Sequence, residues 1–227
     1  MATLRGAAEG ALVATTERED LSFAGHAPWL VLPFRSLSEG KQRLAGLLSD
    51  QERYELNLGM LRQSLRLAHS FPGLERTIVV TRCTEAREWA QRGGAQTVLQ
   101  QGHGLDDAVL LGLAAAAAQG AEDVLVVSCD LPLAQSTHLR RLCRTGRAAG
   151  AMVLASDRAG QGTNALYLPR VTGFEPAYGA GSSTRHARAA ALAGHSFQLL
   201  DADGLEFDID TPEDYQAWRA MSTTIGA

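Results

Sequence analysis

Val124-Leu125-Val126-Val127-Ser128-Cys129-Asp130-Leu131-Pro132 passes from four aliphatic residues straight into a polar turn. So short an apolar run, closed by turn residues, reads as a buried strand that delivers Asp130 at its carboxyl end. The chain on either side follows the same rhythm. Apolar, β-branched runs recur at Trp29 to Phe34, Thr77 to Thr81, Thr97 to Leu99, Asp123 to Val127, Ala151 to Leu154 and Ala165 to Leu168, with helical patterns between them. This alternation predicts an α/β fold, a single domain on a doubly wound, mostly parallel sheet. The helices carry their own punctuation. Ser49 and Glu52 make a capping box ahead of Leu56, Met60, Leu61 and Leu65; Gly104 precedes the alanine-rich stretch Leu105 to Ala118, closed by Gly120; Ser136 and Thr137 are the expected caps for 138–148.

Ligands bind open parallel sheets at the carboxyl ends of the strands, where Asp130 stands. A second stretch supplies more carboxylates: Gly204-Leu205-Glu206-Phe207-Asp208-Ile209-Asp210-Thr211-Pro212-Glu213-Asp214. Read as a strand, it turns Leu205, Phe207 and Ile209 to a core and Glu206, Asp208 and Asp210 outward, with the two aspartates roughly 6 to 7 Å apart at Cα. Thr211 caps the following helix and Pro212 takes its first position. Asp130, Asp208 and Asp210 converging on one edge would repel one another unless a cation sat among them. A hard oxygen site completed by substrate phosphates suits Mg²⁺. On this reading Asp→Asn replacement leaves metal-free stability level or raises it, because like charges are relieved.

The first strand runs into Arg35-Ser36-Leu37-Ser38-Glu39-Gly40-Lys41-Gln42-Arg43, three cations at the same edge and suited to a polyphosphate. It is not a P-loop, which needs glycine where Arg35 stands and Ser or Thr where Gln42 stands. Gly160-Gln161-Gly162-Thr163-Asn164-Ala165 and the stretch Tyr178 to His186 are glycine-rich loops whose amides can approach an anion closely. Ser182 or Ser183 starts a helix running to Leu192, and His186 receives no catalytic role. Asp106, in Gly104-Leu105-Asp106-Asp107, either caps a helix or touches a nucleotide base.

Composition narrows the classes. The chain has 227 residues, 45% of them hydrophobic, and a net charge of -4, which argues against a nucleic-acid partner. No apolar run approaches the ~20 residues that span a bilayer, so no membrane partner is expected. Residues 1–28 read as a flexible N-terminal extension and 29–227 as the domain, with Glu17, Arg18, Glu19 and Asp20 where a signal peptide would be apolar. Cys83, Cys129 and Cys143 have neither disulfide nor zinc spacing, which suits a reducing cytoplasm.

In order, Lys41-Gln42-Arg43-Leu44 with Leu48-Ser49, Cys129-Asp130-Leu131-Pro132, Gly162-Thr163-Asn164-Ala165, Gly179-Ala180-Gly181-Ser182 and Asp208-Ile209-Asp210-Thr211-Pro212-Glu213-Asp214 carry a resemblance. From about Trp29 to Tyr215 the chain resembles the small guanylyltransferases of coenzyme F-420 biosynthesis. These are the 2-phospho-L-lactate guanylyltransferases and, in bacteria, the phosphoenolpyruvate or 3-phospho-D-glycerate guanylyltransferases. The resemblance implies a Rossmann-like nucleotidyltransferase architecture of the GT-A kind. It implies Asp130, Asp208 and Asp210 as Mg²⁺ ligands and catalytic carboxylates, and Thr163, Gly179 and Ser182 as contacts to a small phosphorylated carboxylic acid. Arg35, Lys41 and Arg43 then lie near the GTP phosphates. Three positions depart from the pattern: Arg35 replaces a usual lysine, Gln42 a Ser or Thr, and Asp106 an asparagine. The acceptor's phosphate oxygen, already an anion, would attack the α-phosphorus of GTP without a general base. The alternatives are another nucleotidyltransferase, of molybdenum-cofactor or sugar-phosphate type, and a non-catalytic GTP-binding module; a homodimer is left open.

Overall fold

The computed structural model describes residues 26–171 and 173–225; the expected extension lies outside the described residues as far as residue 25. Among the described residues seven strands form one sheet: β1 (Trp29–Pro33), β2 (Thr77–Thr81), β3 (Gln96–Leu99), β4 (Val124–Val127), β5 (Ala151–Ala155), β6 (Ala165–Leu168) and β7 (Ser196–Leu199). Their order is β3-β2-β1-β4-β6-β5-β7, and every pairing is parallel except those of β6, which runs antiparallel to β4 and β5. Helices α1 (Asp50–Ser70), α2 (Thr84–Gly93), α3 (Leu105–Ala118), α4 (Ser136–Ala149), α5 (Ser182–Leu192) and α6 (Pro212–Ile225) complete it.

Strand side chains alternate between two cores because both faces are covered. Leu30 and Leu32 of β1 and Leu125 and Val127 of β4 join Leu61 and Leu65 of α1, Ala86 of α2 and Leu139 of α4 on one face. Val31, Val124 and Val126 join Val109 and Leu113 of α3 and Ala190 of α5 on the other. A third cluster sets Phe207 and Ile209 against Leu44, Leu56 and Met60. The doubly wound, mostly parallel reading therefore holds, as do the Ser49–Glu52 capping box and the α3 boundaries.

Three local expectations change. The cap of α4 is Gln135, whose N–H donates to His138 Nδ1 at 3.2 Å, so Ser136 and Thr137 lie inside the first turn. Strand β7 was not expected; it is an edge strand with only Phe197 partly covered and thus shows no apolar run. Residues 204–210 form no strand. Their burial alternates as predicted, but the segment is tied by single bonds, Arg158 N–H to the Glu206 carbonyl at 3.1 Å and Ile209 N–H to the Asp130 carbonyl at 3.2 Å.

At the amino edge of the sheet Asp123 Oδ2 accepts from Tyr167 Oη and Arg147 Nε, both at 2.8 Å. This knot fixes the Tyr167 ring against Gly146 of α4. A Cβ at Gly146 would stand 2.1 Å from Tyr167 Cδ1 and 3.1 Å from the Ala151 carbonyl oxygen. Glycine-to-alanine change in a helix ordinarily stabilises by about 1 kcal/mol. Here overpacking, about 1–3 kcal/mol, opposes that gain. Gly146→Ala should melt a few degrees below the parent, while Gly59→Ala in α1, with nothing within 4 Å of the added Cβ, should melt at or above it. Differential scanning calorimetry of the pair decides whether packing or propensity dominates.

Candidate active site

The loops after β1, β2 and β4 and the turn before α3 enclose a cleft of about 930 Å³ at the carboxyl edge. Arg35, Lys41, Arg43, Arg82 and Asp106 line it, and Asp130, Gly179 and Asp210 also reach it. The three expected aspartates do converge: one oxygen from each lies within 4.8 Å of the others. Asp130 follows β4, and the Ile209-to-Asp130 backbone bond brings Asp208 and Asp210 alongside.

Lys41 is the cation already among them. Its Nζ donates to Asp130 Oδ2 at 2.6 Å and to Asp210 Oδ1 at 3.0 Å, with the side chain only 9% exposed. Burial alone would lower its pKa, but attraction to Asp130 and Asp210 prevails and the net shift is upward. Lys41 adopts φ 55° and ψ 40°, a left-handed backbone at a residue other than glycine, so a strained turn aims the ammonium inward. Arg43 reaches Asp210 Oδ2 at 3.3 Å. Among the described residues no cation pairs with Asp208; its carboxylate accepts from Asn164 Nδ2 at 3.4 Å and from its own backbone N–H. Burial, with the charges of Asp130 and Asp210, pushes its carboxyl up to about 6. Hard oxygen donors with one carboxylate uncompensated fit a divalent cation bound through Asp130, Asp208 and Asp210.

The expected relief of repulsion by any Asp→Asn change therefore needs correction. Loss of Asp130 or Asp210 leaves a buried ammonium short of a partner and should destabilise; only Asp208→Asn removes an uncompensated charge.

The other expected residues separate into two layers. Gly179 lines the cleft, whereas Thr163 and Ser182 are buried behind it, bonded to each other at 3.0 Å. Asp106 Oδ1 accepts the Tyr178 N–H at 2.7 Å, so it holds the loop opposite and does not cap its own helix. Three residues carry more than the sequence revealed. Asn164 donates to the Leu205 carbonyl at 3.0 Å and to Asp208, accepts from Ser128 N–H at 2.9 Å, and donates its own N–H to Ala155 at 3.0 Å. Arg82 bridges Glu39 and His103 across the cleft wall. His186 lies between Phe174 and Tyr178 beneath Thr163. Asparagine beside a glycine-rich turn was the available signal for the first; a single Arg and a single His in helical or loop context gave none.

The sheet carries an acidic cluster and facing cations at its carboxyl edge, and its fold is one that solved nucleotidyltransferases share. A solved nucleotidyl transferase from Methanothermobacter thermautotroptrophicus shares the fold with a TM-score of 0.60 at 17% identity, over 85% of this chain and 97% of that one. Residues 29–218 match the family model described as Guanylyl transferase CofC like, and the chain belongs to that family. It is 38% identical to a phosphoenolpyruvate guanylyltransferase of Sphaerobacter thermophilus across 82% of this chain and 89% of the relative. It is 34% identical to a 3-phospho-D-glycerate guanylyltransferase of Phenylobacterium zucineum (81% and 86%) and 30% identical to a 2-phospho-L-lactate guanylyltransferase of Methanocaldococcus infernus (81% and 81%).

Two groups in the site pull stability in opposite directions with pH. Burial, chiefly, holds His186 down to about 4 against 6.5 unfolded, so its contribution is lost as pH falls from 6.5 towards 4. Asp208 is raised from 3.8 to about 6, so its contribution is lost as pH rises through that window. Asp208→Asn removes the second effect. Urea unfolding without metal should show its stability climbing more steeply than the parent's from pH 4 to 6.5, leaving it about 1–2 kcal/mol ahead at pH 7 after allowance for solvent screening. Parallel profiles would mean that Asp208 is already compensated.

Proposed function

We propose that the protein transfers GMP from GTP to a small phosphorylated three-carbon acid, phosphoenolpyruvate, 3-phospho-D-glycerate or 2-phospho-L-lactate, with release of pyrophosphate, as an early step of coenzyme F-420 biosynthesis. The observation that carries this reading is the convergence of Asp130, Asp208 and Asp210 with Lys41 and Arg43 at the mouth of a cleft, in a chain of this family. We assign the reaction to residues 29–227, with 1–28 as an extension outside it. The charged substrates and free Cys83, Cys129 and Cys143 suit the cytoplasm.

Mg²⁺, held by Asp130, Asp208 and Asp210, supplies charge neutralisation at the reacting phosphates when bound. The chain's own residues do the rest. Arg35 and Arg43 face the triphosphate, with Lys41 able to exchange a carboxylate for a phosphate oxygen. We assign the acceptor acid to Thr163, Gly179 and Ser182: Gly179 lines the cleft, the Thr163 hydroxyl, held by Ser182 behind it, is the donor, and the amino end of α5 at Ser182 favours an anion through the helix dipole. An oxygen of the acceptor's phosphate bonds to the α-phosphorus, and the bond from that phosphorus to the bridging oxygen of pyrophosphate breaks. No proton has to be removed from the nucleophile, so catalysis consists of alignment and charge neutralisation.

Mass-resolved product analysis with GTP, Mg²⁺ and each acid should show the diphosphate-linked guanosine conjugate. GTP should be strongly preferred to ATP; equal rates with ATP, or preference for a sugar phosphate, would assign the chain to a different transferase. Asp130→Asn, Asp208→Asn and Asp210→Asn should each lose roughly 10²-fold or more in turnover. Near-parental turnover in Asp130→Asn or Asp208→Asn would falsify the mechanism.

A further inference from the structure

His186 is fully buried, on the acceptor side of the cleft. Its Nε2 accepts the Ala177 N–H at 2.9 Å. A neutral ring with that nitrogen as acceptor carries its proton on Nδ1, which lies 2.9 Å from Thr163 Oγ1 and donates to it. Ser182 Oγ donates to the same oxygen at 3.0 Å. Both lone pairs of Thr163 Oγ1 are thus filled. The hydroxyl keeps one hydrogen to offer, so towards a ligand it is a donor only, the role an anion's oxygen calls for.

The same ring holds the loop in front of α5. Its grip on Ala177 is joined by Arg185, whose guanidinium donates to the carbonyls of Ala177, Ala180 and Tyr178 at 3.0, 2.7 and 2.5 Å. Asp106 takes the Tyr178 N–H from across the cleft. Tyr178 and Gly179 are the residues of this loop that line the cleft, and Gly179 takes φ 101°, a conformation that suits glycine. Phe174 and Tyr178 pack on the imidazole with ring centroids 5.5 and 4.7 Å away, so it has one orientation.

We propose that His186 is the positioning residue of the acceptor subsite: Nδ1–H makes the Thr163 hydroxyl an obligate donor, and Nε2 fixes the loop that presents Gly179. The inference rests on the reading of Thr163, Gly179 and Ser182 as that subsite. A neutral imidazole suits the task because one rigid ring offers a donor and an acceptor on opposite sides. A carboxylate there would repel the acid, and an imidazolium would have no lone pair for Ala177.

The test is steady-state kinetics with GTP, Mg²⁺ and the accepted acid on the parent, Thr163→Val, His186→Phe and His186→Gln. Phenylalanine keeps the ring and loses both bonds; the glutamine amide keeps one donor and one acceptor. In His186→Phe the KM for the acid should rise about ten-fold or more while the KM for GTP stays within about two-fold, with His186→Gln between parent and Phe variant. Thr163→Val should also raise the acid KM. An acid KM unchanged in both His186 variants, or a rise matched by GTP, overturns the positioning role. If His186→Phe does not fold, His186→Gln decides by the same split. An acid KM unchanged in Thr163→Val, or a parent that turns over none of the three acids, fails the underlying reading instead, and the inference with it.

Discussion

Mutual repulsion among three carboxylates is the constraint around which this site is organised. Asp130 comes from the end of β4, Asp208 and Asp210 from a segment far along the chain, and in water each would stay apart from the others. Lys41 makes their convergence affordable: its ammonium bridges Asp130 and Asp210 from a position with little solvent. The left-handed backbone at Lys41 costs roughly 1–2 kcal/mol for a residue with a Cβ, and the two ion pairs stand against that cost. Among the described residues Asp208 remains without a cation, and burial, joined by the charges of Asp130 and Asp210, raises its proton affinity. A doubly charged ion and a triphosphate would rearrange the same charges, with Lys41 free to follow the phosphate.

Much of the fold was legible because buried parallel strands announce themselves. The runs at β1 and β4 are apolar, and β2 is so between its terminal threonines, as both faces of the sheet are covered by helices. β7 was silent because an edge strand with exposed Ser196, Gln198 and Leu199 has no such run. The 204–210 stretch shows the limit of alternation as evidence: it reports which side chains face a core, and Phe207 and Ile209 do face one, but it does not report a ladder partner.

The candidate site was legible to a different degree in each layer. Carboxylates at a strand end or in an alternating segment carry their own signal, so Asp130, Asp208 and Asp210 were found from position alone. Asn164, Arg82 and His186 act by reaching other segments, and of the three only Asn164, beside a glycine-rich turn, carried a local sign. Asn164 ties β4, β5 and the 205–208 segment through one residue, a role that exists only once those pieces are adjacent. Asp106 offered two local readings, and the structure adds a third, a long-range bond to Tyr178 that sequence proximity could not suggest.

The reversed direction of β6 has a consequence for how such a scaffold can diversify. In a wholly parallel sheet, residues at the ligand edge follow strands, and each intervening connection must travel back across the sheet. Here β5 and β6 form a hairpin, so residues 156–164 turn round at the ligand edge and bring Thr163 and Asn164 there from the start of a strand. A hairpin loop can lengthen, shorten or change composition without disturbing the register of its strands or the crossover of any helix. Variation in ligand among proteins of this architecture can therefore accumulate in that turn while the carboxylates and the Lys41 loop stay as they are.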